Sequence, residues 1–219
     1  MKKAIISASI LGATPLNVEK EIKKFKEAGI QWIHFDVMDG KFVKNVSFET
    51  PFLKEVCDKV NLVKDVHIMI ENPINRIEEY ADCGADYLTF HYEACKDNFE
   101  VQEVINKIHS LKMKAGISIK PNTSIETIYP FLNDLDLVLI MSVEPGYGGQ
   151  KFIDFSIEKI AFLRNEIDKN GFSTLISVDG GINDRTAPLC LNAGVDVLVV
   201  GQYLFNRDDF LDRYQRIIK

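Results

Sequence analysis

Residues 18–37, VEKEIKKFKEAGIQWIHFDV, decide the fold because they join a helix-like segment to a strand-like one through a single glycine. Apolar residues recur at the spacing of one helix face over residues 18–28, which predicts an amphipathic helix. Gly29 stands where a helix end favours a left-handed residue. Residues 32–37 are apolar and β-branched or aromatic enough to predict a buried strand.

The same order of helix, glycine and strand recurs along the chain at Gly84, Gly171 and Gly194. The predicted strands are 4–9, 32–37, 62–69, 87–91, 114–119, 137–143, 174–178 and 195–200. The predicted helices are 18–28, 75–83, 99–111, 125–131, 156–170, 184–192 and 208–218. Strands that are largely apolar, joined by helical crossovers, are typical of a parallel sheet covered by helices.

Eight strand–crossover units in 219 residues predict an α/β protein with a closed (β/α)8 TIM barrel. A doubly wound open sheet is the competing architecture. It would carry a Gly-rich dinucleotide fingerprint after the first strand, and residues 9–14 contain no GxGxxG pattern. Since no linker or charge block interrupts the chain, we expect one domain over residues 1–219.

Composition limits the function classes. Lys and Arg total 26 against 32 Asp and Glu, so a broad nucleic-acid-binding surface is not expected. No apolar run approaches the ~18 residues of a membrane span, and we expect residues 4–11 to form a buried strand rather than part of a signal peptide. The four cysteines form no CxxC pair, which favours reduced thiols and a cytoplasmic location.

Polar residues collect at the carboxyl ends of the predicted strands, where barrel enzymes keep their catalytic groups. His34 and Asp36 share one face of strand two by period-two alternation, and His67 and Asp179 end strands three and seven. Two imidazoles and two carboxylates suit a divalent ion such as Zn, Fe, Mn or Co. One such histidine is more often a core residue, but four polar groups are costly to bury without partners. His91 also ends a strand, but the sequence shows no partner for it.

Three methionines near strand ends, Met38, Met69 and Met141, either fill the core or line the site with apolar surface. Glycine-rich turns follow strands six, seven and eight, at residues 146–149, at Gly180-Gly181 and at Gly201. Glycines let backbone N–H groups approach an anion, and the loops after late barrel strands frequently bind phosphate. These turns therefore predict a phosphate site that relies on backbone N–H groups more than on Lys or Arg.

Four segments, residues 32–43, 65–69, 139–152 and 178–181, resemble the ribulose-phosphate 3-epimerase family in sequence and in order. The resemblance extends over essentially the whole chain. It implies a ribulose-phosphate-binding TIM barrel, one divalent metal ion and an isomerase that interconverts D-ribulose 5-phosphate and D-xylulose 5-phosphate. It also implies a place in the pentose phosphate pathway and a homo-oligomer, either a dimer or a hexamer, with neither nucleic-acid nor membrane partners.

The resemblance also implies the role of individual residues. His34, Asp36, His67 and Asp179 match the metal ligands, and Asp36 and Asp179 match the pair of acid–base carboxylates. The residues that match substrate contacts are Ser9, Met38, His67, Met69 and Met141. The residues that match the phosphate-binding loops are Gly146, Tyr147, Gly148, Gly149, Gly180, Gly181, Gly201 and Gln202.

Three departures from the family pattern leave other functions open. Gln202 replaces the usual Ser, Lys44 replaces a Pro, and Glu49-Thr50-Pro51 replaces a Gly-Pro near the second helix. The first and third keep a six-carbon ketose phosphate, such as D-allulose 6-phosphate, as the alternative substrate. Two further classes are a metal-dependent hydrolase or aldolase, with Lys120 at the end of strand five as the candidate for a Schiff base, and a non-catalytic sugar-phosphate sensor.

Overall fold

A computed structural model describes residues 4–14 and 16–218, in which eight parallel strands close into a barrel in chain order. The strands are β1 (Ile5–Ser9), β2 (Trp32–Met38), β3 (Val63–Met69), β4 (Tyr87–His91), β5 (Lys114–Ile119), β6 (Leu137–Met141), β7 (Leu175–Asp179) and β8 (Val197–Val200). Ala8 of β1 pairs with Val200 of β8, which completes the cylinder. The predicted (β/α)8 barrel is confirmed.

Helices cover the outside of the barrel. They are α1 (Val18–Ala28), α2 (Thr50–Lys59), α3 (Ile77–Asp82), α4 (Asn98–Ser110), α5 (Ser156–Asn170), α6 (Thr186–Ala193) and α7 (Phe210–Ile217). The helix predicted over 125–131 is present as a 3₁₀ helix, Ile125–Asp134, which forms the crossover from β5 to β6. Pro130 lies inside it and lacks the N–H that an α-helical hydrogen bond would need at that position.

The second crossover helix, α2, was not among the predicted helices. Pro51 occupies its first turn, where a missing N–H costs nothing, and Leu53, Val56 and Cys57 form its buried face. Leu53, Val56, Cys57 and Val60 have the i, i+3, i+4, i+7 spacing of one helix face, so the signal for this helix is present in the sequence. The departure at residues 49–51 is therefore the start of a helix.

Alternation along the strands separates two apolar layers. Ile33, Phe35 and Val37 of β2 pack into the layer between the sheet and the helices, as expected from the sequence. Inside the barrel, Trp32 belongs to a separate cluster with residues of β6 and β8 such as Leu139. The interior-facing residues of β2 and β3 include His34, Asp36, Asp65 and His67, all of them buried, so the barrel interior contains a polar group beside this apolar cluster.

Across residues 4–14 and 16–218, no helix has the length and apolar character that crossing a bilayer requires. The four cysteines are free thiols, of which Cys57, Cys83 and Cys190 are buried. That residues 1–219 form one domain stays a prediction.

Candidate active site and metal centre

Strand register brings the predicted polar residues together at the carboxyl end of the barrel. In the β1–β2 ladder Ser9 pairs with His34, and in the β2–β3 ladder Asp36 pairs with His67. Asp36 Oδ1 lies 3.3 Å from His34 Nε2 and 3.1 Å from His67 Nδ1, and Ser9 Oγ donates to Asp36 Oδ2 at 3.2 Å. These four side chains are almost completely buried.

Asp179 completes the cluster from the last residue of β7, where it pairs with Met141 of β6. One donor atom from each of His34, Asp36, His67 and Asp179 lies within 4.8 Å of the other three. Two nitrogen and two oxygen donors at this separation have the composition and compactness that a divalent transition-metal ion requires. The four residues expected to be metal ligands are thus brought to one place.

The electrostatics of His34 and Asp36 are mutually dependent. Burial lowers the pKa of His34, but the carboxylates of Asp65 and Asp36 outweigh that effect and hold the pKa well above its usual value. Burial likewise raises the pKa of Asp36, yet the His34 and His67 rings outweigh it and keep this pKa far below the usual range. Asp36 is therefore an ionised carboxylate at neutral pH.

The pKa of Asp179 is shifted in the opposite direction from that of Asp36. Burial, and then repulsion by the Asp36 carboxylate, raises the pKa of Asp179 to about 7. Two carboxyl groups in one small site, one ionised and one able to hold a proton at neutral pH, are the pairing that acid–base chemistry needs.

Asp65, which the sequence analysis does not select, contacts the ring nitrogen of His34 that faces away from Asp36. Asp65, on the inner face of β3, lies 2.8 Å from His34 Nδ1 through its Oδ2 atom, which also accepts a hydrogen bond from Ser7 Oγ at 2.9 Å. Because β3 alternates, Asp65 shares a face with His67, and this spacing of two was the signal available in the sequence.

His91, for which the sequence shows no partner, contacts two side chains, those of His67 and Glu93. Its Nε2 lies 2.9 Å from His67 Nε2, and its Nδ1 lies 3.1 Å from Glu93 Oε2. Burial lowers the pKa of His91 to about 4, so the ring is neutral at pH 7. Burial opposes ionisation of Glu93, but its hydrogen bonds, first of all that with His91, lower its pKa to about 2.

Above the cluster lies a cavity of about 850 Å³. Its lining contains every residue assigned to substrate or phosphate contact except the buried His67: Ser9, Met38, Met69, Met141, Gly146, Tyr147, Gly148, Gly149, Gly180, Gly181, Gly201 and Gln202. Asp36 and Asp179 also reach this lining. The Schiff-base candidate Lys120 is not part of it, and its Nζ lies instead 4.1 Å from the centre of the Phe42 ring.

The glycine-rich turns are closely packed against their neighbours. Gly180 has a φ of 121°, and a Cβ there would lie 2.6 Å from a methyl group of Val143. A Cβ on Gly149 would lie 2.7 Å from Gln202 Nε2, so the Gln202 amide rests directly on this turn. Lys151, Arg185, Arg207 and Arg213 line the same cavity, so the site has more positive side chains at its edge than the sequence indicated.

Comparisons with known proteins agree with this geometry. The model of the ribulose-phosphate 3 epimerase family matches residues 5–205. A ribulose-phosphate 3-epimerase of Chlamydia pneumoniae is 42% identical over 95% of this chain and 92% of its own length. The enzyme of the same name from Methanocaldococcus jannaschii is 44% identical over 93% of this chain and 85% of its own length.

A solved structure of 3-hexulose-6-phosphate synthase from Salmonella typhimurium superimposes with a TM-score of 0.69 over 99% of this chain and 96% of its own. At 18% identity that likeness concerns the barrel fold alone. The relatives in sequence, whose matches span nearly the full chain at about twice that identity, carry the functional assignment. From the family match and these relatives it follows that the chain is an enzyme of the ribulose-phosphate 3-epimerase family.

Proposed function

We propose that this chain interconverts D-ribulose 5-phosphate and D-xylulose 5-phosphate by proton transfer at the carbon next to the ketone, using Asp36 and Asp179. The observation that supports this most directly is the position of the two carboxylates. Both reach the cavity that the glycine turns line, and they come from β2 and β7, which are separated in the barrel by β1 and β8.

Epimerisation needs one group to remove the proton and another to return a proton on the opposite face of the carbon. Asp36 is ionised and therefore suited to accept a proton, while the pKa of Asp179, at about 7, suits it to donate one. Because the reaction is reversible, the two side chains exchange roles when the direction reverses. Ser9 donates to Asp36 Oδ2 and so holds the carboxylate in position.

His34, His67, Asp36 and Asp179 would hold one divalent ion, with Zn, Fe, Mn and Co all compatible with two nitrogen and two oxygen donors. When bound, such an ion supplies Lewis-acid stabilisation of negative charge on the substrate oxygens. The residues contribute a compact, largely buried donor set of two imidazoles and two carboxyl groups. His67 is buried and absent from the cavity lining, so its part in this proposal is to hold the ion rather than to contact the substrate.

The phosphate group is assigned to the turns at residues 146–149, to Gly180-Gly181 and to Gly201-Gln202, which meet in one part of the cavity. Met38, Met69 and Met141 form the apolar lining near the carboxylates. A polarisable apolar wall excludes water from the carbon that loses its proton, which protects the charged intermediate.

Solvent-deuterium exchange into a panel of five- and six-carbon ketose phosphates tests the proposal. We expect exchange and epimerisation with ribulose 5-phosphate, loss of both on chelation, and recovery on adding a divalent ion. A higher kcat/KM on allulose 6-phosphate would favour the six-carbon alternative, and absence of exchange on every substrate would favour a sensor. Substrate trapping on Lys120 by borohydride would indicate an aldolase instead.

The cytoplasmic location, the place in the pentose phosphate pathway and assembly into a dimer or hexamer belong to the same proposal. Multi-angle light scattering on the purified chain measures the assembly state. A monomer at micromolar concentration would contradict the expected oligomer.

A further inference from the structure

A line of three buried or half-buried side chains leads away from the candidate metal centre toward the loops that follow β4 and β5. His67 directs Nδ1 toward Asp36 and places Nε2 2.9 Å from His91 Nε2. His91 in turn places Nδ1 3.1 Å from Glu93 Oε2. Both histidines are fully buried, and the Phe42 ring covers His91 at a centroid distance of 4.8 Å.

Counting hydrogens along this line leaves one arrangement in which His67 can bind a metal. A neutral imidazole carries one N–H, and a metal needs the lone pair of the other nitrogen. If Nδ1 of His67 faces the ion, its proton is on Nε2 and is donated to His91. The proton of His91 is then on Nδ1, and the Glu93 carboxylate must accept it.

Glu93 is fixed as an acceptor by the loop after β5. Its Oε1 accepts hydrogen bonds from the Lys120 backbone N–H at 2.7 Å and from the Thr123 hydroxyl. Lys159 Nζ donates to three carbonyls of the same loop, those of residues 120, 121 and 123. With Oε1 engaged by two donors, the carboxylate can present only Oε2 to His91.

We propose that Glu93 is a positioning residue that acts through His91 to hold His67 in the tautomer with a free Nδ1 lone pair, and so strengthens metal binding. The inference rests on the proposed metal centre. Partners that fix a ligating histidine change metal affinity by roughly 10- to 100-fold in known sites. His34 has a simpler arrangement, since Asp65 contacts its Nδ1 directly.

The substitution Glu93→Gln tests this because it keeps size and shape while adding two N–H donors. The Lys120 N–H and the Thr123 hydroxyl require the amide oxygen on their side, so the amide NH₂ faces His91 Nδ1. His91 then carries its proton on Nε2 and donates to His67, whose proton is forced onto Nδ1. We expect the Kd for Zn²⁺, measured by competition with a chromophoric chelator, to rise roughly 10- to 100-fold.

Glu100→Gln is the matched control. Glu100 is also buried and accepts a backbone N–H, that of Lys96 at 2.7 Å, but no histidine contact involves it among the described residues. Its Zn²⁺ affinity is expected to stay within about twofold of wild type. An unchanged affinity in Glu93→Gln would overturn the proposal.

His91→Phe separates a relay through His91 from a general structural role of Glu93. The phenyl ring preserves bulk but has no nitrogen, so Glu93 can no longer influence His67. In this background we expect Glu93→Gln to change the Zn²⁺ affinity by less than about twofold. If Glu93→Gln weakens Zn²⁺ binding equally in both backgrounds, Glu93 acts on the loop alone and the relay is wrong.

The tautomers of His67 and His91 can also be measured in the wild-type protein, so the proposal can be tested even if a variant fails to fold. Two-bond ¹H–¹⁵N correlation spectra of the Zn²⁺-loaded chain should show His91 protonated on Nδ1 and His67 on Nε2. The reverse tautomer of His91 would overturn the relay. If wild type does not bind Zn²⁺, Fe²⁺, Mn²⁺ or Co²⁺, the metal centre itself fails, whereas binding that is insensitive to Glu93 refutes only the relay.

Discussion

The two ring nitrogens of His34 face two different carboxylates: Nδ1 lies 2.8 Å from Asp65 Oδ2, and Nε2 lies 3.3 Å from Asp36 Oδ1. The ring is thus held between a carboxylate that lines the cavity and one that lies deeper in the barrel. Asp65 is itself fixed by Ser7 Oγ at 2.9 Å. This arrangement leaves Nε2 directed at the cluster, with the orientation of the ring determined from the other side.

Asp65→Asn is therefore expected to weaken Zn²⁺ binding roughly 10- to 100-fold, because an amide facing His34 can impose the wrong tautomer. The measurement is a Zn²⁺ competition titration. Asp136→Asn is the control, since Asp136 contacts His109 at 2.9 Å in an equivalent carboxylate–histidine pair at the protein surface. Equal affinities for wild type and Asp65→Asn would contradict the assignment.

Asp36→Asn and Asp179→Asn should each lower kcat by at least roughly 10²- to 10⁴-fold, the usual contribution of one acid–base group. Steady-state epimerisation and solvent-deuterium exchange measure the loss, and thermal unfolding verifies that each variant is folded. Asp154→Asn, which changes an exposed carboxylate of the same cavity, should retain its turnover. Near-normal turnover in either of the first two variants would refute the two-aspartate mechanism.

The pKa of Asp179 predicts how the stability of the metal-free protein depends on pH. The folded-state pKa, about 7, exceeds the unfolded value near 4, so folding favours the protonated carboxyl. The stability associated with the protonated Asp179 carboxyl is fully present below about pH 4, and it is lost as the pH rises from about 4 to about 7. Above that pH the ionised Asp179 destabilises the fold.

Asp179→Asn removes the destabilisation that the ionised carboxylate causes above pH 7. With chelator present, the melting temperature of the variant should exceed that of wild type at pH 8, and the difference should shrink toward pH 4. Differential scanning calorimetry at both pH values measures it. A variant that melts below wild type at pH 8 would show that the Asp179 carboxyl is not destabilised in the fold.

Gln202→Ala should raise KM for the sugar phosphate by roughly 10- to 100-fold with little change in kcat, because a hydrogen bond to a charged group is lost equally in ground and transition states. The Gln202 amide rests on the Gly149 turn, where a phosphate group would meet it. Gln31→Ala, at an exposed position before β2, serves as the control. An unchanged KM would exclude Gln202 from the phosphate site.

Gly116→Ala should destabilise the barrel by about 1–3 kcal/mol through overpacking. A Cβ on Gly116 would lie 2.2 Å from Thr89 Oγ1, and Thr89 is fully buried in the neighbouring strand β4. Denaturant unfolding measures the loss, and the double variant Gly116→Ala/Thr89→Ala should recover part of it. Gly12→Ala, whose new Cβ would make only ordinary contact at 3.4 Å with Phe205, should change stability much less.

Much of the site could be predicted from sequence because a parallel barrel places the carboxyl ends of all strands together. Period-two alternation predicts His34 and Asp36 on one face of β2 and Phe35 in the helical layer; His34 and Asp36 do lie together in the cluster, and Phe35 packs in the helical layer. A glycine pattern was enough to identify the turns, since φ values such as 121° at Gly180 are rarely compatible with other residues.

The contacts behind the ligands could not be predicted in the same way. Whether Asp65 meets His34, or His91 meets His67, depends on the stagger between adjacent strands, and alternation alone does not determine this register. The 3₁₀ geometry of the crossover after β5 and the helix α2 are missing from the prediction for different reasons. Pro130 lies inside the 3₁₀ crossover, where periodicity alone does not determine the helix type, whereas Pro51 and the spacing of Leu53, Val56 and Cys57 are helix signals that the sequence does carry for α2.

The pairing of β1 with β8 has a consequence for synthesis on the ribosome. Ile5–Ser9 is translated well before Val197–Val200, so one of its edges has no partner until β8 has emerged. A nascent chain that stalls before this point exposes unpaired backbone along β1, which is a template for association with other chains. A barrel that closes by pairing β1 with β8 therefore keeps one open strand edge until all eight of these strands have been translated.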